Sequence, residues 1–453
     1  MDQSPARRQF VKVAAAAIAT AKFPILGAND RINVGIIGLG GRGNDHMNFY
    51  GKLDAESRIA GLCDVNQTAR ERGVAKIKRE KQYEPKEFSD MRAMFDSKDI
   101  DAVSITTPNH WHALAAIWAM QAGKDVYVEK PASHNMYESK QLVKAARKYK
   151  RMVQVGSQSR SMPKKIKAIQ LLRDGVIGNV YHARGECFRR RFSIGRTPDE
   201  PVPAGLDWDK FLGPAQMKPY SKNKFAYNWH WFWDTGNGDI GNQGVHEMDI
   251  ALWGLNRDGW PKTVTCSGGK FAWDDDQETP NTQQATFDFG DAQMTFEVRN
   301  LPTPPEGGVP VRGPNYVGNI FFGTGGFLVV DHSGFEVYKS TAANISGELA
   351  RGSSAGSREK YEKVMEDKTT DEPTEGHMQN FFAAIRSRDH TKLNAEIEIG
   401  ARSAAFCHLA NVAYRVGPTL KVDPKTGQFI GNTKANELWT RKYRSPYTIP
   451  ENV

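Results

Sequence analysis

The sequence lacks any apolar run of about 18 residues, the length that a membrane-spanning helix requires. We therefore expect no membrane span in the mature protein. Its four cysteines, Cys63, Cys187, Cys266 and Cys407, lie far apart and show no paired spacing, which argues against a zinc site or a redox pair. Cys63 falls in an apolar run typical of a buried strand, where a thiol packs as a small hydrophobic group. We expect no metal in the site.

A continuous basic stripe is also missing, although the formal net charge is +9. The first 28 residues contribute +3 of this charge, and most other basic residues are interspersed with acidic ones. A nucleic-acid surface needs clustered cations that follow the phosphate backbone, so we expect no nucleic-acid partner. The length of 453 residues exceeds one ordinary domain and predicts two.

Residues 1–28 are predicted to be an export signal. Arg7 and Arg8 precede Phe10 and Lys12, and an Ala-rich, weakly hydrophobic run with small-residue cleavage triplets follows. This pattern resembles a twin-arginine signal and implies a periplasmic location, reached by a protein that folds and takes up its ligands in the cytoplasm. The alternative is an amphipathic start to an ordinary helix.

Residues 29–157 alternate short apolar runs with helical periodicity, which predicts a parallel α/β sheet. The predicted strands span 32–37, 58–63, 102–106, 125–128 and 152–155. A glycine-rich turn directly follows the first strand, as in a Rossmann dinucleotide-binding domain.

Residues 158–453 predict a second α/β domain. A helix near 163–174 precedes six strands with hairpin turns, typical of an antiparallel sheet, and two helices at 376–387 and 395–416 follow. Two stretches rich in small residues and Pro, 301–314 and 340–357, are predicted as surface loops that act as lids or subunit contacts.

The glycine motif GLGGRG at residues 38–43 opens a helix, so its backbone amides can approach a pyrophosphate. Asp64 ends the second strand, where a carboxylate accepts hydrogen bonds from ribose hydroxyls and repels a 2′-phosphate, which favours NAD over NADP. The alternative is a set of turn glycines with a helix-capping Asp. The residues predicted to hold the cofactor lie in this loop and at later strand ends: Gly38, Gly40, Gly41, Arg42, Gly43, Asp64, Thr107, Pro108, Asn109, His112, Glu129 and Lys130.

Lys130 follows the fourth predicted strand in the motif Glu-Lys-Pro, at the sheet edge where ligands bind. Burial beside a nicotinamide would lower the pKa of this ammonium, so Lys130 is a candidate acid, base or alkoxide stabiliser. The alternative is a solvated cap.

These motifs together resemble the glucose-fructose oxidoreductase, inositol dehydrogenase and rhizopine-catabolism oxidoreductase family. The resemblance rests on GIIGLGGRG, Asp64, TPNHWH and EKP, and it extends from residue 31 to about residue 254, more loosely beyond. It implies a Rossmann domain followed by an α/β domain whose large open, mostly antiparallel sheet often mediates oligomers, here a dimer or tetramer. It also implies that Lys130 is a catalytic residue beside the nicotinamide.

The same resemblance points to the loop GNGDIGNQGVHEMD at residues 236–249. Family dehydrogenases carry Asp, then Gly, then a His that accepts a proton. Here His246 matches the His, but Asn242 occupies the Asp position and carries no charge. Asp249 or Asp239 is expected to supply the missing carboxylate, and a neutral His246 suits the role of base. The alternative for His246 is a structural core residue.

An aromatic run precedes that loop, and Trp229, His230, Trp231, Asn242 and His246 are the predicted substrate residues. Aromatic faces stack on the C–H faces of sugar rings, whereas core packing would explain the same run. Arg189 to Arg191 and Arg196 are predicted as a solvated loop, with binding of an acidic sugar or cofactor phosphate as the alternative. His377 and His408 are predicted to be structural.

The sequence therefore predicts an NAD(P)-dependent oxidoreductase, with NAD favoured, that moves a hydride between a nicotinamide and a sugar, glycoside or polyol hydroxyl, with His246 or Lys130 taking the proton. Two alternatives remain. One is a glycosidase that acts through transient oxidation by a retained NAD, and the other is a non-catalytic sugar or nucleotide sensor.

Overall fold

The computed structural model describes residues 31–257, 259–301, 303, 316–340, 360–368, 375–417 and 419–453. The predicted export signal lies outside the described residues. So do the two predicted loops, apart from residues 301, 303 and 340.

The N-terminal domain contains a six-stranded parallel sheet. Its strands, named β1 to β6 in chain order, are Ile32–Ile37, Ser57–Cys63, Lys86–Phe88, Ala102–Ile105, Asp125–Val128 and Val153–Val155. Their order across the sheet is β3-β2-β1-β4-β5-β6, and every neighbouring pair is parallel. The order reverses beside β1, so a crevice opens at the carboxyl ends of β1 and β4, where such sheets bind ligands.

Helices cover both faces of this sheet and continue into the second domain. The helices, named α1 to α12, are Gly41–Gly51, Gln67–Lys81, Met91–Asp96, Asn109–Gln121, Met136–Tyr149, Pro163–Arg173, Trp208–Leu212, Gly238–Asn242, Gly244–Leu255, Glu375–Ser387, Ile397–Val416 and Thr433–Glu437. Every residue of β4 and β5 is buried, because helices cover a parallel sheet of this kind on both faces.

The C-terminal domain is built on a nine-stranded sheet in the described residues. Its strands, named β7 to β15, are Val180–Phe188, Thr263–Gly269, Thr282–Asp288, Gln293–Arg299, Tyr316–Gly323, Gly326–Asp331, Gly334–Ser340, Tyr361–Lys368 and Thr419–Lys421. Their order is β14-β13-β12-β11-β7-β10-β9-β8-β15, antiparallel except for the pair β7 and β10. Fully buried phenylalanines such as Phe287, Phe296 and Phe321 join this sheet to α9 and α11.

The end of the chain returns to the N-terminal domain. Phe381 and Phe382 of α10 pack in the core beside β1 and β2, while Tyr447 and Ile449 pack on the opposite face of the parallel sheet. The two domains thus share the C-terminal segments, which fix the walls of the crevice between them.

The predicted α/β fold class is confirmed: a Rossmann-like parallel sheet precedes a large, mostly antiparallel one. The four cysteines are buried and unpaired. Across the described ranges, no helix has the length and apolar character needed to cross a bilayer.

Candidate active site

A cleft of about 1040 Å³ lies between the carboxyl ends of the parallel strands and the second domain. Eleven of the twelve predicted cofactor residues line it: Gly38, Gly40, Gly41, Arg42, Asp64, Thr107, Pro108, Asn109, His112, Glu129 and Lys130. Gly43 is the exception. A Cβ at Gly43 would overlap the carbonyl oxygen of Gly38, so this glycine allows close packing inside the motif and does not itself line the cleft.

The glycine loop leaves room for a bound group. Gly38 has a φ of +88°, which favours glycine, whereas a Cβ on Gly40 or Gly41 would meet nothing within 4 Å. Helix α1 begins at Gly41 without a side-chain cap, so its first amides remain available to an anion. The hydroxyl of Thr107 is buried in the same cleft without a hydrogen-bond partner among the described residues. These features fit the pyrophosphate and nicotinamide of a dinucleotide.

Asp64 directly follows β2, and its carboxylate lies beside the glycine loop. Its carboxylate accepts hydrogen bonds from the Leu39 amide at 2.6 Å and from the Asn66 amide at 2.8 Å. Burial raises the pKa of Asp64, and the two amides oppose that rise because they stabilise the anion. Arg72 also lines the cleft and donates to the Leu39 carbonyl at 3.1 Å. The carboxylate is therefore placed by backbone amides and still faces the cleft.

Glu129 is a buried anion beneath the cleft. Its Oε1 accepts from the Arg42 guanidinium at 2.8 Å and lies 2.9 Å from the His46 Nε2. Burial alone would raise the pKa of Glu129, but Arg42 and His46 hold it well below its usual range. Its other oxygen accepts from the Lys130 amide at 3.2 Å, so this ion pair fixes the backbone at the following lysine.

Lys130 presents its ammonium to the cleft directly after β5. Its Nζ donates to the Asn242 carbonyl at 2.6 Å and lies 3.5 Å from the Asn242 side-chain oxygen. Burial lowers the pKa of Lys130, and the nearby Glu129 carboxylate only partly offsets this effect. The lysine thus occupies the place that the sequence predicted for an acid or base.

Asn242 belongs to a polar network that sequence analysis found only in part. Its amide nitrogen donates to Asp239 at 3.1 Å and to the Tyr227 hydroxyl at 3.0 Å. Asp239 in turn forms two hydrogen bonds with Arg191, at 2.9 and 3.1 Å, and accepts from Asn300 at 2.6 Å. Of the two carboxylates considered from the sequence, Asp239 is the one beside Asn242.

Asp249 requires a correction. Its side chain is fully buried and pairs with Arg160 at 2.7 and 2.9 Å, while the Ser403 hydroxyl donates to it at 2.5 Å. It lines neither of the two cavities described here. Both oxygens are engaged by Arg160 and Ser403, and these contacts favour a structural role for Asp249 over the predicted catalytic one.

His246 lies on the first turn of α9, behind the wall of the cleft. It lines a separate cavity of about 220 Å³, together with Gln158, Lys165 and Glu247. Burial lowers the pKa of His246 well below its usual range, and the positive charge of Lys130 lowers it further. The imidazole is therefore neutral, and it is displaced from the cleft that holds the lysine.

The aromatic run divides between the cleft and the core. Trp229 and His230 line the cleft and stack on each other with ring centroids 3.6 Å apart. Trp231 is 4% exposed, lies outside the cleft lining and packs under the Arg191 guanidinium at 5.5 Å. The prediction for Trp231 as a substrate residue is corrected accordingly, because its ring contributes to the core.

Three further histidines, His112, His377 and His408, are held by hydrogen bonds within the protein. Both ring nitrogens of His112 face backbone carbonyls, those of Pro131 at 2.6 Å and Thr107 at 2.8 Å, so this residue joins two cleft loops. His377 and His408 are buried, as predicted for structural residues, and bond to Val155 and Ser133.

The predicted solvated arginine loop divides in the same way. Arg191 is held in the network with Asp239, and Arg189 lines the cleft and donates to Gln243 at 3.2 Å. Arg196 is exposed and paired with Asp274, as a solvated loop would be. Tyr227 is not among the predicted site residues, because its contacts with Arg191 and Asn242 join segments 36 and 15 residues apart, which local spacing does not reveal.

Comparison with known proteins places the chain among oxidoreductases. A model of an oxidoreductase family with an NAD-binding Rossmann fold matches residues 32–157. A second model, for the C-terminal α/β domain of this oxidoreductase family, matches residues 166–279 and 345–449. The two matches together extend over most of the chain.

Curated relatives match a shorter region. A glycosyl hydrolase family 109 protein from Shewanella putrefaciens is 30% identical over 157 residues, which is 34% of either chain. An alpha-N-acetylgalactosaminidase from Shewanella oneidensis is 28% identical over 155 residues, 33% of this chain and 34% of that protein. The chain thus matches about a third of the length of these relatives.

Solved structures match nearly throughout. A levoglucosan dehydrogenase in complex with NADH and levoglucosan has a TM-score of 0.63 at 18% identity, covering 86% of this chain and 99% of that one. The WlbA dehydrogenase from Bordetella pertussis, in complex with NADH and UDP-GlcNAcA, has a TM-score of 0.61 at 18% identity, covering 87% and 99%. At such identities the likeness shows a shared fold.

Proposed function

Because the chain belongs to the Gfo/Idh/MocA oxidoreductase family, with its NAD-binding Rossmann domain and C-terminal α/β domain, we propose that it oxidises or reduces a sugar, glycoside or polyol. A hydride passes between a nicotinamide cofactor and a carbon that bears a hydroxyl group. One observation carries the proposal: the partly buried Lys130 ammonium lies in the same cleft as the glycine loop, next to aromatic and amide groups of the cleft lining.

Different residues along the cleft would bind different parts of the cofactor and the substrate. The glycine loop and the first amides of α1 would hold the pyrophosphate, Asp64 the ribose, and Thr107 with Lys130 the nicotinamide end. When bound, the nicotinamide supplies the hydride acceptor or donor. Trp229 and His230 offer a flat surface for a sugar ring, while Tyr227 and Asn242 offer hydrogen bonds for its hydroxyls.

Lys130 is proposed to move the proton. As a neutral amine it accepts the hydroxyl proton during oxidation, and as an ammonium it returns that proton during reduction. Asn242 holds Nζ at 2.6 Å through its carbonyl, and Asp239 and Tyr227 hold Asn242 in turn. His246 lies outside the cleft lining, which favours Lys130 over His246 as the residue that contacts the reacting hydroxyl.

A sugar-like substrate has support beyond the aromatic surface. Two solved structures with this fold were determined with NADH and either levoglucosan or UDP-GlcNAcA, and both are carbohydrates or carbohydrate derivatives. The experiment that tests the proposal is an absorbance assay at the nicotinamide band with NAD-loaded protein and a panel of neutral sugars, glycosides and polyols. Substrate-dependent reduction supports it, whereas binding without turnover would point to a sensor.

The pH dependence of oxidation is expected to follow Lys130. Since burial lowers the pKa of Lys130 and the amine must be neutral to accept a proton, kcat/KM for oxidation should rise with pH to a plateau. The midpoint of that rise should lie below the ordinary lysine pKa of 10.5. For reduction the ammonium is required, so activity should fall over the same pH range. Initial rates in both directions across the pH range measure this effect.

The control for this pH profile is His246→Asn. If Lys130 is the titrating group, the rising limb persists in His246→Asn. A limb that disappears in that variant would instead assign the proton transfer to His246.

Cofactor choice is expected to depend on Asp64. The wild-type protein should prefer NAD to NADP, because the carboxylate repels a 2′-phosphate. Asp64→Asn keeps an oxygen that accepts from the Leu39 amide but removes the charge, so the NAD preference should fall by about tenfold or more. Titration of both cofactors by fluorescence measures the ratio. An additional Arg72→Ala change should weaken NADP binding selectively, since Arg72 lines the same end of the cleft. An unchanged ratio in Asp64→Asn would show that Asp64 does not select the cofactor.

A second candidate is a glycosidase that uses transient oxidation. The observation that favours it is the similarity of about a third of the chain to glycosyl hydrolase family 109 proteins. Asn242 at the position of the family Asp is a further departure from the usual dehydrogenase pattern. Release of a chromogenic aglycone without net change in nicotinamide absorbance would establish this activity in place of net oxidation.

Two other sequence-based expectations remain predictions. The twin-arginine pattern at residues 1–28 predicts export to the periplasm, which cell fractionation tests. The family resemblance predicts a dimer or tetramer, which sedimentation velocity tests.

A further inference from the structure

Three contacts fix the imidazole ring of His230 in the wall of the cleft. Its Nδ1 lies 2.6 Å from the Tyr227 carbonyl oxygen. The Trp229 ring covers one face of the imidazole, with ring centroids 3.6 Å apart and ring planes 20° apart. The Tyr227 ring lies 4.5 Å away between centroids, at an angle of 41°. The imidazole is therefore held at one edge and one face.

The Tyr227 contact decides which nitrogen of His230 carries the hydrogen. A carbonyl oxygen only accepts hydrogen bonds, so Nδ1 must donate to it. Burial lowers the pKa of His230 to about 3, and the bond to the Tyr227 carbonyl opposes this fall only in part. The ring is therefore neutral near pH 7, and its other nitrogen, Nε2, is a hydrogen-bond acceptor.

The Nε2 of His230 is both free and accessible. It has no hydrogen-bond partner among the described residues, and it is not one of the partnerless side-chain atoms that the protein shields from solvent. His230 lines the large cleft. Since protein groups cover Nδ1 and one face of the ring, the Nε2 edge remains for a ligand in the cleft.

A short chain of contacts joins His230 to Lys130. Asn242 accepts from the Lys130 Nζ at 2.6 Å through its carbonyl, and its amide nitrogen donates to the Tyr227 hydroxyl at 3.0 Å. Tyr227 in turn holds His230 through its own carbonyl. The charge of Lys130 is also among the causes that lower the pKa of His230, so the two groups lie near each other. A ligand whose reacting hydroxyl faces Lys130 therefore lies beside His230.

An uncharged hydroxyl is the group that fits this acceptor. Ionised carboxylates and phosphates have no hydrogen to donate. An ammonium group would be repelled by the charge of Lys130 in the same cleft. A hydroxyl donates without a charge, and it is the group that sugars and polyols carry in number.

We infer that the Nε2 of His230 accepts a hydrogen bond from a second hydroxyl of the substrate, one that is not oxidised. This inference rests on the proposed function, and it makes His230 a specificity-determining residue. The substrate is then a polyhydroxy compound, and its second hydroxyl must be free. A compound that lacks this hydroxyl loses the bond and binds less tightly.

The test measures how the loss of single hydroxyls affects binding to the NADH-loaded protein. The probes are the methyl glycosides of glucose, galactose and mannose, each with the derivatives that lack one hydroxyl. Saturation-transfer NMR titrations give each dissociation constant without turnover. For at least one parent glycoside, loss of one particular hydroxyl should raise the dissociation constant about tenfold, as for a hydrogen bond between uncharged groups.

Three variants assign this effect to His230. His230→Phe keeps a ring against Trp229 but removes the acceptor, so the cost of losing that one hydroxyl should disappear while the costs of losing the others persist. His230→Gln offers an amide oxygen in place of Nε2 and should restore part of the effect. His182→Phe is the matched control, because His182 bonds to Thr295 at 2.9 Å outside the cleft lining, and it should leave the dissociation constants unchanged. Retained NADH fluorescence confirms that each variant is folded.

NMR of protein with ¹⁵N-labelled histidine gives a second readout. The signals that are absent from His230→Phe belong to His230, and they should show a hydrogen on Nδ1 and none on Nε2. Binding of the parent glycoside should move the Nε2 signal, because a hydroxyl then donates to this atom. A purely structural His230 would show no such movement.

A hydrogen on Nε2, an equal loss of affinity for every probe in His230→Phe, or no binding by any probe would overturn the inference. The result is separate from the proposed function, because the dissociation constants and the NMR signals are measured without turnover. Oxidation of these glycosides, together with the same hydroxyl selectivity in wild type and His230→Phe, would sustain the oxidoreductase and reject the role of His230.

Discussion

Replacing Lys130 with methionine is expected to lower kcat for sugar oxidation by about 10²–10⁴-fold, the range for loss of a positioned acid or base. Methionine retains the unbranched apolar part of the lysine side chain, but it has no group that can take the hydroxyl proton. The glycine loop and Asp64 are untouched, so the variant should still bind NADH. Stopped-flow measurement of the first turnover separates this chemical effect from slow product release.

Lys210→Met is the matched control for Lys130→Met. Lys210 also lines the cleft, at the end nearer Asp64 and Asp90, but it pairs with Asp207 at 3.0 Å and lies away from Asn242. Its replacement should leave kcat within about threefold, as for a surface ion pair. If Lys130→Met kept near wild-type kcat, Lys130 would have no part in proton transfer. If Lys130→Met lost NADH binding, its role would be in holding the cofactor.

Five of the six strands of the N-terminal sheet are predicted from sequence; the exception is β3, a short edge strand that is exposed at Lys86 and Glu87. The other five are predictable because they are largely buried on both faces. Such a strand appears as a short apolar run between polar turns, and the predicted 32–37 and 125–128 agree with the observed bounds. Strand β14 is the opposite case. It is a polar edge strand, exposed over most of its length, so no hydrophobic pattern marks it.

The site also contains residues that local motifs place and residues whose partners come from distant segments of the chain. The glycine loop, Asp64 and Lys130 each follow a strand end, so local motifs are enough to bring them to one cleft. The partners of Asp249 and Asp239 come from distant segments. Arg160 lies 89 residues before Asp249, and Arg191 lies 48 residues before Asp239. Spacing within one helix cannot tell which carboxylate such partners occupy.

The buried ion pair between Asp249 and Arg160 predicts a second large effect, a loss of stability. Asp249→Ala should lower the free energy of unfolding by roughly 3–5 kcal/mol, because it leaves the Arg160 guanidinium unpaired in a site where it is 10% exposed. The Ser403 hydroxyl loses its acceptor as well. Urea denaturation followed by circular dichroism measures the loss. The exposed pair Arg196 and Asp274 gives the control, since Asp274→Ala should cost no more than about 1 kcal/mol.

A structural role and a catalytic role for Asp249 predict different properties for a double variant that removes the whole ion pair. If Asp249 serves only to neutralise Arg160, the double variant Arg160→Met, Asp249→Leu should recover much of the lost stability, because apolar side chains of similar volume replace the ion pair without an uncompensated charge. The kcat of this double variant should be close to that of the wild type, since neither residue lines the cleft with Lys130. A double variant that is stable yet inactive would restore Asp249 to the catalytic role that its position after His246 first suggested.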